Sequence, residues 1–163
     1  MDAPSAGRTF VGLAEIFPPD AIVVGLKDRT IYGAVAELVH HLVELGVLRP
    51  GDEPDIVESI LARERRGTSA LSEGVASPHC RSTVTERFAS ILGLEPEGVA
   101  VDANGGAVQS VFLFLAPLER SEELHEILGR ITAIGRDKSR LIQLRGCRTT
   151  EAAHRFLQEL DRS

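Results

Sequence analysis

The stretch Val111-Phe112-Leu113-Phe114-Leu115, preceded by Val108 and closed by Pro117, carries apolar side chains on both of its alternating faces. A strand with no polar face has no side to turn towards water, so this run predicts the centre of a sheet that is covered above and below. The covering material is also legible. Ile31, Val35, Leu38, Leu42 and Leu45 recur at helical spacing behind Asp28, which can cap the helix, and Gly46 suits its C-terminal end. Residues 54–66 set Ile56, Ile60 and Leu61 on one side and charges on the other, which predicts a second helix stopping near Gly67.

Shorter elements fill the rest. Residues 21–26 (Ala-Ile-Val-Val-Gly-Leu, behind Pro18-Pro19-Asp20) read as a buried strand, and residues 88–94 as another. Asn104-Gly105-Gly106 marks a tight turn before the central strand. Ser121 is expected to cap a helix running to about Ile134, with Glu122 and Glu123 in its first turn, and a last helix spans residues 150–160. No repeat or linker divides the 163 residues, a length that supports one core, so a single domain over residues 1–163 is expected. Strands and helices mixed without strict alternation predict an α/β fold: a three-layer α/β/α sandwich with a mixed central sheet flanked by helices.

Composition narrows the function. The formal charge of −6 sets the chain against phosphate backbones and anionic lipid, and 4% aromatic residues with no Trp leave little for stacking bases, so no nucleic acid is expected as partner. No run approaches the roughly 20 apolar residues that cross a bilayer, and Met1-Asp2-Ala3-Pro4-Ser5 does not open a signal peptide. Cys80 and Cys147 lack paired metal spacing and read as reduced thiols, which points to the cytoplasm. Phosphate-loop, dinucleotide and zinc-protease motifs do not occur.

Attention therefore falls on residues 67–81, where periodicity fails and Gly, Ser, Thr, Pro, His and Cys accumulate, a loop with at most a short strand at 74–76. Of the five histidines, His40, His41 and His154 read as helix-surface residues. His79 follows Pro78 and the small residues Gly74-Val75-Ala76-Ser77, so its ring is offered on a stiffened main chain with open approach. That arrangement suits a nucleophile: one ring nitrogen attacks while the other donates its proton to a carbonyl. A loop histidine capping a turn, or a chance pairing with Cys80, is the plainer alternative. Arg63, Arg65, Arg66, Thr68 and Ser69 lie just upstream, either as a solvated helix end or as charge and donors for a phosphoryl group. His125 lies in the first turns of a helix and is a second candidate donor. As a loop residue His79 is expected to add little to the core.

Read together, Arg63-Glu64, Gly67-Thr68-Ser69 and Gly74-Val75-Ala76-Ser77-Pro78-His79 resemble the phosphohistidine signature of enzyme IIA domains of the bacterial phosphotransferase system, fructose/mannitol type, which includes nitrogen-regulatory enzyme IIA. The likeness continues through the strand ending at Pro117 into Leu124-His125-Glu126-Ile127-Leu128, and covers about residues 10 to 160. It implies a phosphotransferase component in which His79 accepts phosphoryl, at Nε2, from an HPr-like phosphocarrier protein and hands it on. Arg63 matches the arginine of the family's Arg-Glu pair, His125 the second histidine, and Thr68 and Ser69 the small hydroxyl positions. It further implies no metal, nucleotide or other cofactor in the domain, and a downstream regulatory target or an enzyme IIB as acceptor. The nitrogen-regulatory type comes first; a sugar-specific fructose/mannitol type feeding a membrane permease and a non-catalytic interaction module of the same fold are the alternatives. Retention of Arg63, His79 and His125 argues against the last. Two departures stand out: Ser77 where the family usually has an apolar residue, and Cys80 where it often has Gly. Cys80 beside the nucleophile also raises a redox-sensing role, weaker than plain packing.

Overall fold

In the computed structural model, residues 12–72, 74–104 and 106–163 are described. The central strand is the anticipated one, β6 (Ala107–Pro117), and it is buried from Ser110 to Pro117. Its alternation sorts the core into two halves. Val111, Leu113 and Leu115 face α2 (Ile31–Glu44) and α3 (Glu53–Arg66), where Val35, Leu38, Leu42, Ile56 and Ile60 meet them. Phe112 and Phe114 face the opposite layer, built from α1 (Leu13–Ile16), α4 (Ser121–Gly135), α5 (Lys138–Arg145) and α6 (Thr150–Arg162). Each such side chain taken fully from water contributes about 2 kcal/mol, so a strand with two dry faces is held from both sides. The fold is thus the expected three-layer α/β/α sandwich.

The sheet is mixed. β1 (Ile22–Val24) pairs parallel with β5 (Ala89–Ala100), which pairs antiparallel with β6. On the other flank of β6 lie two short parallel strands in succession, β3 (Gly74–Ala76) and β4 (His79–Ser82), and β2 (Ala70–Ser72) pairs antiparallel with β3. Between β3 and β4 the pairing lapses at Ser77 and Pro78, a suitable place for a residue without an N–H, and Phe114 N–H donates to the Pro78 carbonyl at 3.2 Å.

Several boundaries differ from the sequence reading for physical reasons. The N-cap of α2 is Thr30, whose Oγ1 accepts from Gly33 N–H at 3.1 Å; Asp28 instead braces Thr30, accepting from its hydroxyl at 2.8 Å. Gly46, at φ +79°, does end α2, with Val47 N–H returning to the Leu42 carbonyl at 3.0 Å. Ser121 opens α4 without capping it, because it is already the first helical residue and Arg120 holds the N-cap position; its Oγ accepts from Arg81 Nη2 at 2.6 Å. Strand β5 continues beyond Leu94 because the polar run Glu95-Pro96-Glu97-Gly98 is a register shift within the strand rather than its end. The turn read at residues 104–106 includes Gly105, outside the described residues; beside it Asp102 Oδ1 accepts from Asn104 N–H at 2.8 Å and Gly106 N–H at 3.0 Å. The absence of a signal segment at residues 1–5 likewise falls outside the described residues.

Residues 67–81 are more ordered than a loop. They supply β2, β3 and the first three residues of β4, and His79 itself begins β4 opposite Phe114. Among the described residues no helix is long and apolar enough to cross a membrane.

Candidate functional site

Helix α3 ends at Gly67, whose N–H closes onto the carbonyls of Arg63 and Glu64 at 3.3 and 3.2 Å. This termination leaves Arg63 exposed at the helix end and turns Glu64 inward, where it is buried. A buried carboxylate needs donors. Glu64 Oε2 finds one in Ser69 N–H at 3.0 Å, and the Ser69 carbonyl accepts from Ser77 N–H at 3.0 Å. One carboxylate thereby ties the end of α3 through the loop to the residue two before His79. Thr68 Oγ1 accepts from Ala70 N–H at 3.1 Å, which leaves its own hydroxyl proton free to donate.

His79 is only 7% exposed. Its ring lies flat on Phe114, with centroids 4.9 Å apart and planes 5° from parallel. Nδ1 lies 2.7 Å from the Ser77 carbonyl oxygen, which only accepts, so Nδ1 carries the proton and Nε2 presents a lone pair. Burial pushes the imidazole pKa below its ordinary value; the Ser77 carbonyl opposes this by favouring the protonated ring, Arg63 lowers the value further and Glu64 raises it. A neutral ring with a fixed tautomer and one free nitrogen is the protonation state a nitrogen nucleophile requires. The ring is also part of the core, contrary to the expectation of a loop side chain that adds little to stability.

A cavity of about 410 Å³ opens between the end of α3 and α4, lined among others by Arg63, Thr68, Ser69, Ser77, His79 and Leu128. Arg63, Thr68, Ser69 and His79 are thus brought together as the sequence suggested. His125 is not in the lining; it is exposed on α4, one turn before Leu128 and on the same side of the helix. The cavity is polar without being satisfied. The side chain of Arg63 makes no ion pair or hydrogen bond among the described residues, and the buried hydroxyls of Ser69 and Ser77 have no partner. A buried unpaired hydroxyl costs about 1–3 kcal/mol, and two of them beside an exposed guanidinium are donors that an anion could satisfy.

Three contributors were not selected from the sequence. Glu64 stood in the motif without a role, and its inward turn depends on where α3 stops. Phe114 belonged to the central strand, but its place under His79 needs the β4–β6 register. Ser77 was a departure from the signature whose burial no pattern reveals. The remaining candidates behave as surface or structure. His40 pairs with Glu53 at 3.0 Å, and His41 lies 3.8 Å from Glu44. His154 is more than a surface residue, since its Nε2 donates to the Ala14 carbonyl at 2.8 Å and ties α6 to α1. Cys80 is buried and burial pushes its thiol up to about 11, with Arg63 pulling the other way, so it stays protonated at neutral pH and packs rather than reacts.

The comparisons with known proteins give the family. The profile of the phosphoenolpyruvate-dependent sugar phosphotransferase system EIIA 2 family matches residues 15–160. A nitrogen regulatory protein of Pseudomonas aeruginosa is 32% identical, the match covering 92% of this chain and 97% of that protein. Its counterpart in Bradyrhizobium diazoefficiens is 29% identical, over 89% of this chain and 94% of that one. The crystal structure of nitrogen regulatory protein IIA-Ntr from Neisseria meningitidis superposes with a TM-score of 0.77 at 25% identity, covering 88% of this chain and 97% of the other. The chain therefore belongs to the EIIA 2 family of the phosphoenolpyruvate-dependent sugar phosphotransferase system.

Proposed function

We propose that the protein is a phosphoryl carrier of the nitrogen-regulatory type, charged on His79 Nε2 by an HPr-like phosphocarrier and acting through a downstream regulatory target. The observation that carries this reading is the 2.7 Å contact from His79 Nδ1 to the Ser77 carbonyl inside a cavity of unsatisfied donors. The Nε2 lone pair attacks phosphorus, the bond from phosphorus to its leaving group on the donor breaks, and the proton stays on Nδ1, donated to the Ser77 carbonyl throughout. Arg63 offsets the charge on the phosphoryl oxygens, and the hydroxyls of Thr68 and Ser69 donate to them. His125 acts during transfer, from the face of α4 that leads to Leu128. The near full-length match to stand-alone nitrogen regulators supports the regulatory role over delivery to an enzyme IIB, and this role is played in the cytoplasm.

The test is incubation with phosphoenolpyruvate, enzyme I and an HPr-type carrier, read by intact mass and by acid lability. A single acid-labile phosphoryl addition, absent from His79→Ala, is expected. No addition with carriers from several sources would favour the interaction module.

A further inference from the structure

Three buried hydroxyls among the described residues have no hydrogen-bond partner: Ser69, Ser77 and Ser90. They are not scattered. Ser90 stands directly opposite Phe114 in the β5–β6 register, on the far side of the ring that His79 stacks on, while Ser69 and Ser77 line the cavity with His79. Ser77 is the most deeply placed, 1% exposed, and two residues before His79 in extended chain, which sets both side chains towards the same layer. Its main chain is fully used: N–H to the Ser69 carbonyl and carbonyl to His79 Nδ1. Only the hydroxyl is idle.

We propose that Ser77 is an oxyanion-binding residue: its Oγ–H donates to an oxygen of the phosphoryl group held at His79, or of a free tetrahedral oxyanion in the same cavity. This rests on the carrier reading and adds to it a donor supplied from the segment that also fixes the tautomer. One residue then does two things. Its carbonyl holds the ring before transfer, and its hydroxyl gains a partner only when the anion arrives. An interaction made with the charged product and absent from the empty site shifts the transfer equilibrium towards the charged protein.

The experiment charges wild type, Ser77→Ala and Ser77→Cys with the phosphorylated carrier, and records the phosphorylated fraction at equilibrium, the phosphorus NMR resonance and the melting temperature of the uncharged proteins. With the hydroxyl gone, the equilibrium constant for charging is expected to fall about tenfold, and the resonance to move. Uncharged Ser77→Ala should melt at the same temperature or higher, because an unsatisfied hydroxyl has been removed; a merely structural serine would lower it. Ser77→Cys keeps the volume with a weak donor and should fall alongside Ser77→Ala. Equal charging and an unmoved resonance in all three would overturn the proposal and leave the carrier reading standing. If wild type is never charged, the carrier reading fails, and inorganic phosphate becomes the probe. Thermal stabilisation of wild type but not Ser77→Ala then supports a free-anion site, and no stabilisation of wild type overturns it.

Discussion

The two sides of β6 are built on opposite principles. Towards α2, the layer is apolar and closed: Leu38, Val35 and Val39 are fully buried, and Gly93 lets Leu38 approach to where a Cβ would lie only 3.1 Å away. Towards β3 and β4, the same strand supports a corner in which two hydroxyls, a guanidinium and an imidazole nitrogen are left without partners among the described residues. Close packing gains stability from contact alone, whereas the corner forgoes stability that a bound anion would return. The first region should therefore govern folding and the second transfer.

The largest effect expected is at His79. Its replacement by Ala should abolish phosphoryl acceptance and, because the ring is stacked and buried, also lower stability by about 2 kcal/mol, read by denaturant unfolding. Retained acceptance would move the nucleophile elsewhere. Next, Leu38→Ala should cost about 3 kcal/mol in the same unfolding experiment while the folded fraction still accepts phosphoryl at the wild-type rate. A slowed transfer in folded Leu38→Ala would break the separation of the two regions. Arg63→Gln reverses that pattern: stability within about 0.5 kcal/mol, since the side chain is exposed, and acceptance slower by about 10- to 100-fold in a rapid-quench assay.

The pH dependence is a finer discriminator. Because burial lowers the His79 pKa, the nucleophile stays neutral below the usual histidine range, so the acid limb of the acceptance rate should lie below about 6.5. The stability linkage has the same origin. A depressed folded-state value gives stability that is complete above the unfolded pKa and declines as pH falls from there towards the folded pKa, and this decline should be missing in His79→Ala. The smallest effect is at Cys80: with its thiol pushed up to about 11, an alkylating reagent at neutral pH should modify it no faster than it opens by local unfolding.

The long elements were legible because each pairs a strong period with a stop signal, as Ile31 to Leu42 does with Gly46. What escaped the sequence was structure made by backbone pairing or by thin signals. Strand β4 has no apolar alternation and exists through its ladder to β6. Helix α5 buries only Leu141 and Leu144 and leaves Ile142 67% exposed, so no stripe announces it. Around the cavity, Arg63, Thr68, Ser69 and His79 were legible as candidates because they lie close together in one segment of chain. The support beneath them was hidden because Phe114 and Glu64 take their roles from register and from the exact end of a helix. His125 shows the converse: a position at a helix start was readable, but its place outside the cavity lining depends on how far along α4 the cavity reaches, to Leu128 and not to the turn before it.

The most direct test of the central claim is to charge protein carrying nitrogen-15 histidine and trace which ring nitrogen couples to phosphorus. Phosphorus on Nε2 of His79, with Nδ1 still protonated, is the result predicted from the 2.7 Å contact to the Ser77 carbonyl. Phosphorus on Nδ1, or on any other residue, would contradict it.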